Sequence, residues 1–228
     1  MQQLYLRIIE SIALLTGICA CFFFRPFYLK LVVTLLAITI LNELIIAYVI
    51  TPHLMKNGTL NDMNIAYNIF SLIDMGIWLY IFYNIHSEYK TQKFIILTTI
   101  IIFLYSFIEL FILKSWKILH IDSFRCYEVL IIILSLLYLY NLLKKEYYVA
   151  SIDPVFWLCC ACLIYHSILI INFTTKADEA YWHLKNAHLA YILLQNIANT
   201  SYYLLLCCMF ISGICYAKWQ KKKTSSRK

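Results

Sequence analysis

The stretch 94–113, FIILTTIIIFLYSFIELFIL, holds twenty residues and one side chain charged at neutral pH, Glu109. As a helix rising about 1.5 Å per residue, such a run matches the roughly 30 Å hydrocarbon core of a bilayer. Six further runs of similar character flank it. They lie near 5–24, 31–50, 64–85, 126–143, 155–173 and 189–217. The pattern predicts an all-α integral membrane bundle of seven transmembrane helices. Residues 1–217 are expected to form a single seven-helix domain, followed by a basic tail at 218–228. Connections are short, so successive helices should be antiparallel neighbours.

Composition agrees. The 228 residues are 63% hydrophobic and 14% charged, with a mean hydropathy of +0.75. A soluble domain of this size cannot bury that much apolar surface, so the solvent for most of the chain is lipid. No stretch leaves room for a soluble kinase, nuclease or binding domain. The last run is long enough to tilt or to extend beyond the bilayer. Pro26, Pro52 and Pro154 fall at span ends, where proline starts or stops a helix without kinking it. The first run has no clear basic segment ahead of it, with only Arg7 near its start, and continues through Phe22, Phe23 and Phe24, which reads as a retained helix and not a cleaved leader. Eight of the nine cysteines lie inside spans. Cys159 and Cys162 make a CxxC, but within an apolar helix and with no second pair, so they read as small packing residues.

Loop charge predicts the orientation. Arg25, Lys30, Lys90, Lys93, Lys144, Lys145, Lys218, Lys221, Lys222, Lys223, Arg227 and Lys228 fall on one side, twelve in all. Arg7, Lys56, Lys114, Lys117, Arg125, Lys176 and Lys185 make seven on the other. Positive residues favour the cytoplasmic face, which puts the N-terminus outside and the C-terminus inside. The bias rests on the tail, whose six basic residues also carry most of the net charge of +7. Their expected partner is the anionic surface of the lipid bilayer, and nothing here points to nucleic acid. The segment from Lys176 to His188, around Trp182, has the makings of a short interfacial helix.

Ionisable groups inside spans are costly unless they face the bundle interior, so each is a candidate. Glu10 lies in the first span, Asn42 and Glu43 in the second, Asp74 in the third and Glu109 in the fourth. Glu128 opens the fifth, His166 is in the sixth, and Gln195, Asn196 and Asn199 are in the seventh. Under the assigned orientation Glu10 and Glu128 lie within about a turn of the outer surface, Glu43, Glu109, His166 and Gln195 one to two turns down, and Asp74 and Asn199 near the middle, while the inner halves carry almost no charge. Tyr67, Ser71, Asp74 and Trp78 follow helical spacing, as do Gln195, Asn199 and Tyr202. The expectation is a polar cavity opening outward, lined by Glu43, Asp74, Glu109, His166, Gln195, Asn199, Asn42 and Tyr67. Against it stands a plainer reading, in which Asn and Gln side chains only join helices by hydrogen bonds. Glu10 and Glu128 could equally be solvated at the interface.

Several activities lack their residues. No lysine sits in mid-span for a retinal Schiff base. There is no HExxH, no GxSxG and no phosphate loop. His183 and His188 are five apart, off the register that shares a helix face, so no metal site is expected and no cofactor is implied. Mid-span Gly or Pro marks the broken helices of many transporters. Here only Gly17, Gly76 and Gly213 are within spans.

The segment Asp153-Pro154-Val155-Phe156-Trp157, with Leu163-Ile164-Tyr165-His166-Ser167 after it, resembles small seven-span proteins from bacteria of the Bacteroidota. The pair Asn42-Glu43 and the run Tyr67-Asn68-Ile69-Phe70 fit that resemblance. The layout is also similar to the seven-span sensory regions of some histidine kinases. The resemblance implies a bacterial cytoplasmic (inner) membrane and a sensory or regulatory role, and brings no catalytic residue with it. No output domain of the kinase kind lies within these residues, so sensing implies a partner, such as a histidine kinase or another cytoplasmic or membrane regulator. The alternatives are a small-solute or proton-coupled transporter, and a lipid-modifying enzyme with Glu43, Asp74 and His166 as acid–base candidates.

Overall fold

A computed structural model describes residues 2–24, 26–50, 61–114, 120–144, 152–177 and 187–225. Every regular element of any length among them is helical. They are α1 (Gln2–Phe23), α2 (Phe27–Ile45), α3 (Asn61–Ile85), α4 (Tyr89–Ile108), α5 (Ile121–Leu143), α6 (Pro154–Ala177) and α7 (Ala187–Ser225). Single π-helical turns extend α2 over Ile46–Ile50 and α4 over Glu109–Leu113. All seven helices are long and apolar enough to cross a membrane. Most begin a few residues before the apolar runs do. Lys30, Lys90, Lys93 and Asp122 all lie inside helices, because polar side chains at a helix end reach water without ending the helix. Arg25, Pro52, Lys56, Lys117, Lys145, Trp182, His183, Lys185, Arg227 and Lys228 fall outside the described residues.

The chain divides into two compact units. One comprises residues 1–33 and 128–228, the other residues 34–127. In the first unit, α7 packs along both α6 and α1. Small residues permit the α1 approach. Ala13, Gly17 and Ala20 follow one face of α1 and are buried. A Cβ on Gly17 would lie 2.7 Å from Phe210 Cζ of α7 and 2.8 Å from Val33 Cγ2 of α2. Phe210 is itself fully buried and has nowhere to retreat. Gly17→Leu is therefore expected to lower the stability of the purified protein by about 2–3 kcal/mol, read by detergent-induced unfolding. Gly76 on α3 is the control. A Cβ there meets only Phe103 Cζ at 3.6 Å, so Gly76→Ala should be neutral or slightly stabilising.

Asp153 starts α6. Its Oδ1 accepts the Val155 N–H at 2.9 Å, and Pro154 takes the first helical position, where a missing N–H costs nothing. Oδ2 accepts the Tyr138 hydroxyl at 2.7 Å, which ties the end of α5 to the start of α6.

In the second unit, α3 and α4 form an antiparallel pair. The Gln92 amide of α4 donates to the carbonyls of His86 (2.8 Å) and Tyr83 (3.3 Å), satisfying the otherwise open C-terminal end of α3. The face of α3 that is buried runs through Asn68, Met75, Trp78, Leu79 and Phe82, and His86, just past its end, is buried too.

Candidate functional site

The buried stripe of α6 reads Cys159, Cys162, His166 and Leu169, at helical spacing. Neither cysteine is in a disulfide with another described residue, and both pack as small residues. His166 is the polar exception, and α5 supplies its partner. Nδ1 of His166 and Oε2 of Glu128 share a hydrogen bond, and both side chains are fully enclosed. Glu128 belongs to the α5 face that continues through Ile131 and Ser135, also buried. Its other oxygen, Oε1, meets no hydrogen-bond donor among the described residues. Tyr165, next to His166, packs its ring 4.5 Å from that of Tyr202 on α7. Further along α6, the Asn172 amide donates to Gln195 Oε1 of α7 at 2.8 Å. Polar bonds thus join α5 to α6 and α6 to α7 in series.

The second unit has its own polar groups. Asn68 Oδ1 accepts both the backbone N–H of His120 (3.3 Å) and ring Nδ1–H (2.8 Å). An amide oxygen cannot donate, so the ring proton is on Nδ1. In the neutral ring, Nε2 then accepts from the Ser71 hydroxyl at 2.9 Å. Burial pulls the His120 imidazole below its ordinary value, with Glu109 opposing and Lys114 assisting. The folded state therefore prefers the neutral ring. The stability this adds is complete above the ordinary imidazole value near ~6.5 and is lost as pH falls through the lowered folded value. Wild-type protein is expected to lose stability between pH 7.5 and pH 5, and His120→Gln should remove part of that slope. Equal slopes in the two proteins would show that this ring does not contribute.

Glu109 is a heavily bonded carboxylate of the second unit. The π turn brings Lys114 a full turn round to the same side: its backbone N–H bonds to the Glu109 carbonyl at 2.8 Å and its ammonium to Oε1 at 2.6 Å. The Glu109 carboxylate also accepts the first free N–H groups of α5, from Asp122 (3.2 Å) and Ser123 (2.8 Å). An anion is favoured at such a helix start. Asp122 adds an ion pair to Lys114 at 2.9 Å and to Arg125 at 3.4 Å. Burial works against the charge on Lys114, yet its bonds to Glu109 and Asp122 hold the ammonium above the ordinary lysine value. Asp74 of α3 accepts the Tyr127 hydroxyl at 3.2 Å.

The residues named as cavity lining are thus distributed. Glu109, Asp74, Glu43, Asn42 and Tyr67 belong to the second unit, and His166, Gln195 and Asn199 to the first. Glu109 and His166 are buried; Asp74, Asn42, Gln195 and Asn199 are half-buried; Glu43 and Tyr67 are exposed. The Tyr67–Trp78 stripe therefore runs from the open side of α3 to its buried side, while Asn68 takes the inward position one residue on. Glu10 and Glu128, which could have been solvated at an interface, are both enclosed. Asn68, His120 and Asp122 were not foreseen as site residues. Among the described residues, no group of three or more His, Cys, Asp or Glu side chains is placed to hold a metal ion.

No protein-family model, curated protein or solved structure matches this chain.

Proposed function

We propose that this protein is a sensory or regulatory component of a membrane, taken to be a bacterial cytoplasmic membrane with the N-terminus outside and the C-terminus inside. In this reading it takes a small polar or amphipathic ligand at the polar halves of its helices and passes a change in helix packing to a partner. The supporting observation is the continuity of α7. It runs unbroken for 39 residues, about 58 Å at 1.5 Å per residue, roughly twice the thickness of the hydrocarbon core. One end carries Gln195, bonded to Asn172; the other carries Lys218, Trp219 and Lys221. A rigid rod of that length moves its basic end whenever its polar end shifts against α6. A bound ligand changes that packing only by as much as it prefers one arrangement over the other.

Crosslinking of a tagged copy in its native membrane, followed by mass spectrometry, tests this reading. A regulator such as a histidine kinase, crosslinked through Lys218 or Lys221, supports it. Recovery of lipid and chain alone counts against it. A ligand screen in which Glu43→Gln and Asp74→Asn bind as wild type does would remove those two residues from the site.

The Glu128–His166 pair favours a second reading, a proton-coupled transporter. A carboxylate and an imidazole in contact, enclosed in apolar surroundings, form a unit able to take up and release one proton. Solute flux in proteoliposomes that follows an imposed pH gradient, and is lost in Glu128→Gln, would select it. The continuity of α1 and α3 through Gly17 and Gly76 weighs the other way, since transporter sites commonly sit at broken helices.

A further inference from the structure

Where α1 ends and α2 begins, the two helices flank a groove of about 330 Å³ lined by Ile18, Cys21, Phe22, Lys30 and Val33. Ile18, Cys21 and Phe22 share one face of α1 by their spacing of three and four residues, and Lys30 and Val33 share one face of α2. The lining is apolar apart from one cation. Val33 lies opposite Gly17, its Cγ2 2.8 Å from where a Cβ on Gly17 would be. Lys30 is one turn nearer the membrane surface, three residues into α2. Its side chain is exposed and makes no ion pair with any described residue, whereas Lys114 and Arg125 are both paired. Phe22 and Ile18 are exposed on the same groove. In a membrane-spanning chain these side chains meet lipid.

We propose that this groove is a binding site for one anionic phospholipid. An acyl chain would lie along Ile18, Phe22 and Val33, and the phosphate would bond to the Lys30 ammonium. The chemistry fits on both counts. The groove offers a hydrocarbon surface that continues inward from a single cation, and a phospholipid offers a hydrocarbon chain that continues inward from a single anion. A lysine one turn below the surface reaches the phosphate level by extending its stem. Its attraction for an anionic headgroup is strongest where no protein carboxylate competes for it. A zwitterionic lipid would fill the apolar part equally well but would gain less at Lys30. A free fatty acid carries its charge on the carboxylate at the end of the chain, without the glycerol and second chain that hold a phospholipid in its leaflet.

The test uses the full chain in nanodiscs made from equal parts of phosphatidylglycerol and phosphatidylcholine, with co-purifying lipid counted by native mass spectrometry. Wild type is expected to retain phosphatidylglycerol over phosphatidylcholine by about fivefold, the size of one lysine contact at a membrane surface. Lys30→Gln should bring the two lipids level. Val33→Trp, which fills the groove, should reduce both. Lys90→Gln, a lysine of the second unit, should leave the preference intact. Circular dichroism identifies any variant that fails to fold, and Ile18→Trp then replaces it from the α1 side. Equal retention of the two lipids by wild type would overturn the proposal, as would an unchanged preference in Lys30→Gln. Displacement of phosphatidylglycerol by equimolar palmitate would also overturn it, by identifying a fatty acid as the occupant.

Discussion

Replacing His166 with leucine should lower stability by about 3–5 kcal/mol, and restoring apolar symmetry by adding Glu128→Leu should recover most of the loss. Glu128 and His166 sit on facing stripes of α5 and α6, each otherwise built of apolar or small residues. With His166 gone, a carboxylate that is 0% exposed keeps no donor from α6. The cost of the single substitution is mostly the cost of that stranded group and not the worth of the bond. Glu128→Leu alone removes the carboxylate partner of the imidazole and should cost a comparable amount. In the double variant two leucines meet across the same interface with no polar atom left over. The coupling between the two sites, read from the four unfolding free energies, should therefore be large and favour the native pair. Single variants that each lose under about 1 kcal/mol, with losses that simply add in the double, would contradict a coupled pair. A double variant as stable as wild type but without function would show that the pair is kept for its chemistry.

The seven helices were legible in the sequence because lipid imposes a length and an apolar composition that few other constraints can mimic. Phe94–Leu113 is the clearest case. Pro154 was legible too, as a residue at a span end, whereas the cap that Asp153 supplies was not. The pairing of polar groups was not. His166 stood out as an ionisable residue in a span, but nothing local indicates that Glu128, 38 residues earlier, would face it. Glu109 stood out for the same reason, yet its partners come from the end of its own π turn and from the start of α5. A π turn shifts the register after it, so a pattern based on 3.6 residues per turn misplaces Lys114. Asn68 and His120 were missed because they lie near span ends, where a polar residue carries no hydropathy signal. A stripe through Asn68, Met75 and Phe82 would have pointed inward, but the adjacent stripe through Tyr67 and Asp74 has the same period. Spacing alone cannot choose between two faces one residue apart.

Glu109→Ala is the second large effect, expected at about 2–4 kcal/mol, and its reason differs from that of the α5–α6 pair. The carboxylate has three tasks within one unit. It accepts two backbone N–H groups at the start of α5, balances Lys114, and through Lys114 is linked to Asp122. Alanine leaves the N–H groups of Asp122 and Ser123 without this acceptor and leaves the cation facing Asp122 alone. Glu109→Gln separates these contributions. Its amide oxygen can still accept an N–H, but the charge is gone and the amide nitrogen repels Lys114, so a loss of about 1–2 kcal/mol is expected. Asp122→Asn should cost less than about 1 kcal/mol, because that side chain is 46% exposed and its ion pairs compete with water. The expected order is thus Ala, then Gln at position 109, then Asn at position 122. A ligand-binding role for Glu109 predicts a different result. Glu109→Gln would then abolish binding while leaving the unfolding midpoint nearly unchanged, since a group held ready for a ligand contributes little to the fold before the ligand arrives. Measuring stability and ligand binding on the same variants therefore decides whether this carboxylate serves the start of α5 or the site.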